Sequence, residues 1–145
     1  MKKLLLTALI ATSLISSAFA GPVKKVNYFI RTAFESAYPS AKEVEWKVTE
    51  EYSKASFTSE TGKTEVFYDL TGNFIGKSVS IDPSKLPTNV KRSLARKFAN
   101  YMINEAIQFE GADETAYFIS ARNEKESVLL KAVNGDVSIY KASGK

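Results

Sequence analysis

Thr64-Glu65-Val66-Phe67-Tyr68-Asp69-Leu70-Thr71-Gly72-Asn73-Phe74-Ile75-Gly76-Lys77-Ser78-Val79-Ser80-Ile81 reads as two strands around a Thr71-Gly72 turn. A two-residue turn there pairs Leu70 with Asn73, Tyr68 with Ile75 and Val66 with Lys77. Upstream, Thr61-Gly62 as a turn pairs Phe57 with Val66 and Ala55 with Tyr68. The weaker Thr49-Glu50 signal sets Trp46 opposite Ser53 and Val44 opposite Ala55. Four strands are thus expected, at 43–48, 51–59, 64–70 and 74–81.

Side chains alternate along a strand, so these pairings sort the residues onto two faces. Val44, Trp46, Val48, Ala55, Phe57, Val66, Tyr68, Leu70, Ile75, Val79 and Ile81 make an apolar face. The other face collects Glu43, Glu45, Lys47, Tyr52, Lys54, Ser56, Thr58, Glu65, Phe67, Asp69, Phe74, Gly76 and Ser78. On it Glu45, Lys54 and Asp69 form an alternating charge row, ordinary for a solvated face. Tyr52, Phe67 and Phe74 stand out there as candidate partner-binding residues, since aromatics supply large contact area at small entropic cost. A competing reading has them packed under a loop, a terminus or the second half of the chain. Trp46 belongs to the apolar face and is expected in the core.

Before these strands, Val26, Phe29, Ile30, Ala33, Phe34 and Ala37 recur at helical spacing, and Pro39 ends the helix. After them, Asp82-Pro83 leads to a second helix from about Pro87, with Leu86, Val90, Leu94 and Phe98 as its stripe. Strands are then expected at 103–109, 116–121, 127–133 and 137–141, with Asn134-Gly135 the strongest hairpin signal in the chain. The order is a helix and four strands, written twice. Tyr38 matches Tyr101, Val44-Glu45-Trp46 matches Ile107-Gln108-Phe109, and Gly72 matches Gly135, all at an offset of sixty-three. In the second half the apolar set Val128, Leu130, Ala132, Val137 and Ile139 has the opposite parity to the first, so no surface is assigned to it.

At the start of the chain, Lys2 and Lys3 precede an apolar run, Leu4 to Ile15, too short to span a bilayer. Ala18-Phe19-Ala20 then supplies the small residues a signal peptidase reads. Residues 1–20 are expected to be a signal peptide, with a retained anchor as the alternative, and 21–145 the exported domain. Its units are 21–81 and 82–145. Without Lys2 and Lys3, eighteen of the 20 basic residues remain against 16 acidic, and the net charge falls from +4 to +2. No basic block is present, so nucleic-acid binding has no electrostatic footprint. No later run is apolar enough for a membrane span.

The chain contains no cysteine, so no disulfide or cysteine-linked lipoprotein anchor is available. It contains no histidine either, which removes Ser-His and Cys-His nucleophiles and the usual histidine metal sites. Asp69-x-Thr71-Gly72-Asn73 carries oxygen donors but lacks EF-hand spacing and the terminal glutamate, so a hairpin turn is expected. Ser138 and Lys141, three apart on a strand, point to opposite faces. No catalytic residue, metal site or cofactor is assigned, and the chain is expected not to be an enzyme.

Phe34-x-x-x-Tyr38-Pro39-x-Ala41-x-x-Val44-x-Trp46, Tyr52, Phe57 and Val66-Phe67-Tyr68-Asp69-x-x-Gly72-Asn73-Phe74 resemble the β-lactamase-inhibitor-like, PepSY-like family of exported bacterial proteins. Leu86-Pro87-x-x-Val90-Lys91 resembles its second helix opening. In the second unit Lys131-Ala132-Val133-Asn134 departs from Tyr68-Asp69-Leu70-Thr71. The resemblance implies an α+β fold of two tandem helix-plus-four-strand units, forming a curved antiparallel sheet with the helices on one face. It also implies a periplasmic or secreted setting, but no activity. The expected function is that of a non-enzymatic binding module engaging another exported or periplasmic protein through a sheet face or hairpin loops. A carrier of a small molecule or lipid is the alternative, and the oligomeric state stays open. Protein recovered from the periplasm or medium should have the intact mass of a chain beginning at Gly21. A membrane-bound species keeping residues 1–20 would contradict this.

Overall fold

A computed structural model describes residues 25–144, so the signal-peptide reading of residues 1–20 lies outside them. Helix α1 (Tyr28–Ala37) is followed by β1 (Glu45–Val48), β2 (Ser53–Ser59), β3 (Gly62–Tyr68) and β4 (Phe74–Ile81). A 3-10 turn (Pro83–Lys85) leads to α2 (Thr88–Lys97), then β5 (Met102–Gly111), β6 (Thr115–Arg122), β7 (Glu126–Val133) and β8 (Asp136–Gly144). The strands form one eight-stranded sheet in sequence order, every neighbour antiparallel. No described helix is long and apolar enough to cross a membrane.

Both helices cover the same face. Asn27 caps α1, its side chain accepting from the Phe29 N–H at 2.9 Å. Ile30 and Phe34 of α1 pack with Ala55, Phe57, Val66 and Tyr68. Trp46 is half-buried at the edge of this cluster, its ring edge-on to Phe34 at 5.2 Å. Leu86, Val90 and Leu94 pack with Ala106, Ile119, Ala121, Val128, Leu130, Ala132 and Val137. Ser93 donates to the Gly135 carbonyl at 2.7 Å, tying α2 to the β7–β8 turn. Val133 pairs with Asp136, so Asn134-Gly135 is a two-residue turn, both residues at positive φ.

The expected registers of the first three strands change by two residues. Thr49 Oγ1 accepts from the Glu51 and Tyr52 N–H groups, and the Thr49 N–H bonds the Tyr52 carbonyl. That closes a four-residue turn, so Trp46 faces Ala55 rather than Ser53. At the next hairpin Ser59 pairs with Gly62 and its hydroxyl donates to the Gly62 carbonyl at 3.0 Å. The turn is therefore Glu60-Thr61, and Ala55 faces Val66 rather than Tyr68. A shift of two preserves side-chain parity, which is why the faces survive. It does abolish the expected Glu45–Lys54–Asp69 charge row. Lys54 bonds Glu65 instead, at 3.1 Å.

The third pairing holds for Val66 with Lys77, but the register then slips by one between Phe67 and Tyr68. Tyr68 faces Phe74 instead of Ile75, and a one-residue slip exchanges faces. Ile75 accordingly joins the cluster on the face away from the helices, and Phe74 does not. Leu70, expected in the core, is 51% exposed because β3 ends at Tyr68 and Leu70 lies in the turn. A similar slip between Leu129 and Leu130 accompanies the 50% exposure of Ile139.

The face away from the helices is not the solvated surface expected. Tyr52, Phe67, Ile107, Phe109, Ala116 and Phe118 form a third buried cluster there. A Cβ on Gly76 would collide with Phe109 Cζ, so the glycine leaves the notch in which that ring lies. Phe67→Ser should lower stability by about 3–5 kcal/mol, the range for emptying a buried aromatic site. Urea melts of purified protein measure it, and a midpoint close to that of the native chain would contradict the packing.

Candidate binding surfaces

Three places on the described surface offer side chains to another molecule: the face away from the helices, a depression beside β1, and the β3–β4 turn. The first is graded across the sheet. One register row runs Glu45, Ser56, Glu65, Ser78, Phe109, Ala116, and another runs Ser80, Ile107, Phe118, Lys131, Ser138. Polar residues come from β1–β4, while aromatic and aliphatic ones come mainly from β5 and β6. At the polar end a cleft of about 400 Å³ opens, with Lys63, Glu65, Ser78, Ser80, Glu105 and Ile107 among its lining residues. Glu65 is 4% exposed and its Oε1 meets Lys54 Nζ at 3.1 Å and Lys63 Nζ at 3.8 Å. Nothing in the sequence pattern marked Glu65 as special, because strand alternation places it among solvated residues.

The second surface is a depression of about 340 Å³ between α1 and β1, where Tyr38, Pro39 and Trp46 border an Arg31–Glu35 ion pair. Its aromatic rings already pack on Phe34, at 5.1 Å for Tyr38 and 5.2 Å for Trp46.

The three aromatic residues expected to form one binding patch are not together. Tyr52 is 7% and Phe67 1% exposed, their rings 5.8 Å apart within the third cluster. Tyr52 is buried because the four-residue turn carries it back over β3, and Phe67 because the second half of the sheet packs beside it. This is the competing reading of those side chains. Phe74 is 46% exposed and lies edge-on at 6.4 Å to Tyr68, itself one of the residues under α1. The register slip put it there.

Exposed apolar side chains occur on both elements that meet here, the β3–β4 turn and the start of α1. Gly72, at φ +94°, would place a Cβ 3.7 Å from Ile30 Cγ1, so the β3–β4 turn abuts α1. Leu70 and Phe74 flank that contact, and Tyr28 and Phe29 at the start of α1 are 75% and 74% exposed. Asp69 fixes the turn. Its carboxylate accepts from the Thr71 N–H and hydroxyl at 2.9 and 2.7 Å, and from the Asn73 N–H and amide at 2.9 and 3.0 Å. Those donors occupy the oxygens a calcium loop would have used, so the segment is a self-bonded turn.

No family model and no curated protein matches the sequence. Solved structures do share its fold. A DUF2874 family protein from Bacteroides ovatus superposes with a TM-score of 0.74 at 16% identity, covering 83% of this chain and 89% of its own. A protein from Bacteroides eggerthii, described provisionally as periplasmic, gives 0.75 at 13% identity, with 83% and 90% covered. A BLIP-like protein from Bacteroides fragilis gives 0.68 at 17%, with 88% and 89% covered. At such identities the likeness is one of fold.

The Thr71 hydroxyl first, then the donors of Asn73, hold the Asp69 carboxyl down to about 2 from an ordinary 3.8. A carboxylate with a depressed folded value stabilises the fold above its unfolded value, and that contribution drains away as pH falls from about 4 through about 2. Asp69→Asn should therefore destabilise the protein at neutral pH and flatten that part of its acid limb. Melts from neutral pH down to about 2 measure both, and identical acid limbs for the two proteins would contradict the assignment.

Proposed function

We propose that this chain is an exported, non-enzymatic binding module that holds a protein partner at the β3–β4 turn and the adjoining end of α1. The observation that carries the reading is that most of the large exposed apolar side chains fall on these two adjoining elements. Tyr28, Phe29, Leu70 and Phe74 are four of the six large apolar residues exposed on the described surface. Phe74 and Leu70 project from a turn whose geometry Asp69 fixes, so they present contact area without an ordering cost on binding. A rigid apolar loop tip beside a helix end suits a protein surface better than an enclosed small molecule.

The leader-like start of the sequence and the fold shared with a Bacteroides eggerthii protein described provisionally as periplasmic support a periplasmic or secreted location. The fold shared with a BLIP-like protein supports the β-lactamase-inhibitor-like side of the resemblance, and its PepSY-like side rests on the sequence pattern alone. We also read the chain as a duplication. β2, β3 and β4 moved by sixty-three residues become 116–122, 125–131 and 137–144, against observed β6, β7 and β8 at 115–122, 126–133 and 136–144. Gly72 and Gly135, at the same offset, both have positive φ, and a Cβ on each would meet its own helix region, at Ile30 and Asn89.

A photoreactive residue introduced at position 74 should give a discrete protein adduct in the native periplasm. The same residue at position 139, where Ile139 is similarly exposed at 50%, should give none. Equal labelling from both positions, or none from 74, would refute the turn as the binding surface.

A further inference from the structure

The cleft at the polar end of the opposite face contains an unmet chemical demand. Glu65 Oε2 is shut away from solvent with no hydrogen-bond partner among the described residues, although Oε1 of the same carboxylate is ion-paired. The Glu65 side chain is 5% exposed and the Lys54 side chain 13%, so neither group is ordinary surface charge. A buried acceptor without a donor forfeits hydrogen bonding it had in water, and the loss is larger for a charged group. Ser78, 3% exposed, faces Glu65 directly across the β3–β4 ladder, and both line the same cleft.

We infer that this cleft is a binding site for a neutral, polyhydroxylated small molecule of sugar or polyol type. The claim is independent of the β3–β4 turn and its partner. Charge selects the class. Lys63, Glu65 and Glu105 line the cleft and Lys54 pairs with Glu65 from outside that lining, so an anion would meet two carboxylates and a cation would compete with two lysines for Glu65. A neutral ligand meets neither penalty. Hydrogen-bonding capacity selects further, because carboxylates only accept, ammonium groups only donate, and the Ser78 and Ser80 hydroxyls do both. Once Lys63 moves aside, a ligand hydroxyl can donate to the Glu65 carboxylate while accepting from a serine hydroxyl, which a hydrocarbon or a simple amine cannot do. Ile81, Pro83 and Ile107 give the cleft an apolar side for ring C–H groups, and about 400 Å³ suits one or two sugar rings. Lys63, with its side chain 60% exposed, is the group free to swing and admit the ligand.

Titration of the isotope-labelled mature protein with glucose, N-acetylglucosamine, maltose, trehalose and inositol, followed by amide shifts, tests this. At least one of these should produce saturable shifts centred on Glu65, Ser78 and Glu105, while citrate and spermidine should not. Ser80→Ala, at the half-buried rim, should leave the melting temperature in place and weaken the binding about tenfold, as loss of a ligand hydrogen bond does. Glu65→Gln, which keeps the shape but replaces an acceptor oxygen by an amide donor, should abolish it. If that variant fails to fold, Ser80→Ala and the ligand panel decide alone. No saturable shift with any of the five, or shifts with citrate or spermidine as strong as with the sugars, would overturn the assignment and leave Oε2 as a group satisfied by ordered water.

Discussion

A sheet with helices over one side only must still dispose of its other side, and here the ring of Phe109 lying in the notch at Gly76 is the contact through which it does so. The helices account for two clusters on their own face, one for each half of the sheet. Neither described helix packs on the third cluster. Its side chains lose solvent by packing on one another, Tyr52 and Phe67 from the first half with Phe109 and Phe118 from the second. This face turns its side chains inward on one another. The halves are thereby held by more than the β4–β5 ladder.

That arrangement decides what is left for function. Aromatic residues that alternation alone would offer to a partner are consumed in joining the halves. What stays available lies where the third cluster stops: a polar cleft at one end of the inward face and an apolar turn beside α1. Glu65 sits at the boundary. It is too deep to be solvated, and on its Oε1 side the two lysines offset the cost of burying its charge.

Much of the fold was legible because the signals were local. Alternation located the strands, helical spacing located both helices, and Asn134-Gly135 fixed its hairpin. Two turns were misread, shifting their registers by two residues, because Thr49 and Ser59 use side-chain oxygens to bond backbone groups, which outweighed the dipeptide signals. The even shift left the faces correct. The odd slip between Phe67 and Tyr68 did not, and it separated Phe74 from the patch it was expected to join. The third cluster was illegible for a different reason. Burial of Phe67 and Glu65 depends on residues of the other half of the sheet, and no pattern within 64–81 reports on those.

Strand order has a consequence for how the chain reaches this structure. Seven ladders join eight strands, each to its neighbour in sequence, and six of them close over short turns. The exception is β4–β5, where Ile81 pairs with Ala106 across the linker and α2. Loop-closure entropy rises with the length enclosed, so the hairpins on either side form at smaller cost than this middle ladder. The seam is the topological bottleneck of the meander, and the residues that reward its closure are Phe109 and its neighbours on the inward face. The same packing that deprives the sheet of an open aromatic surface is what makes joining its halves worth the entropy.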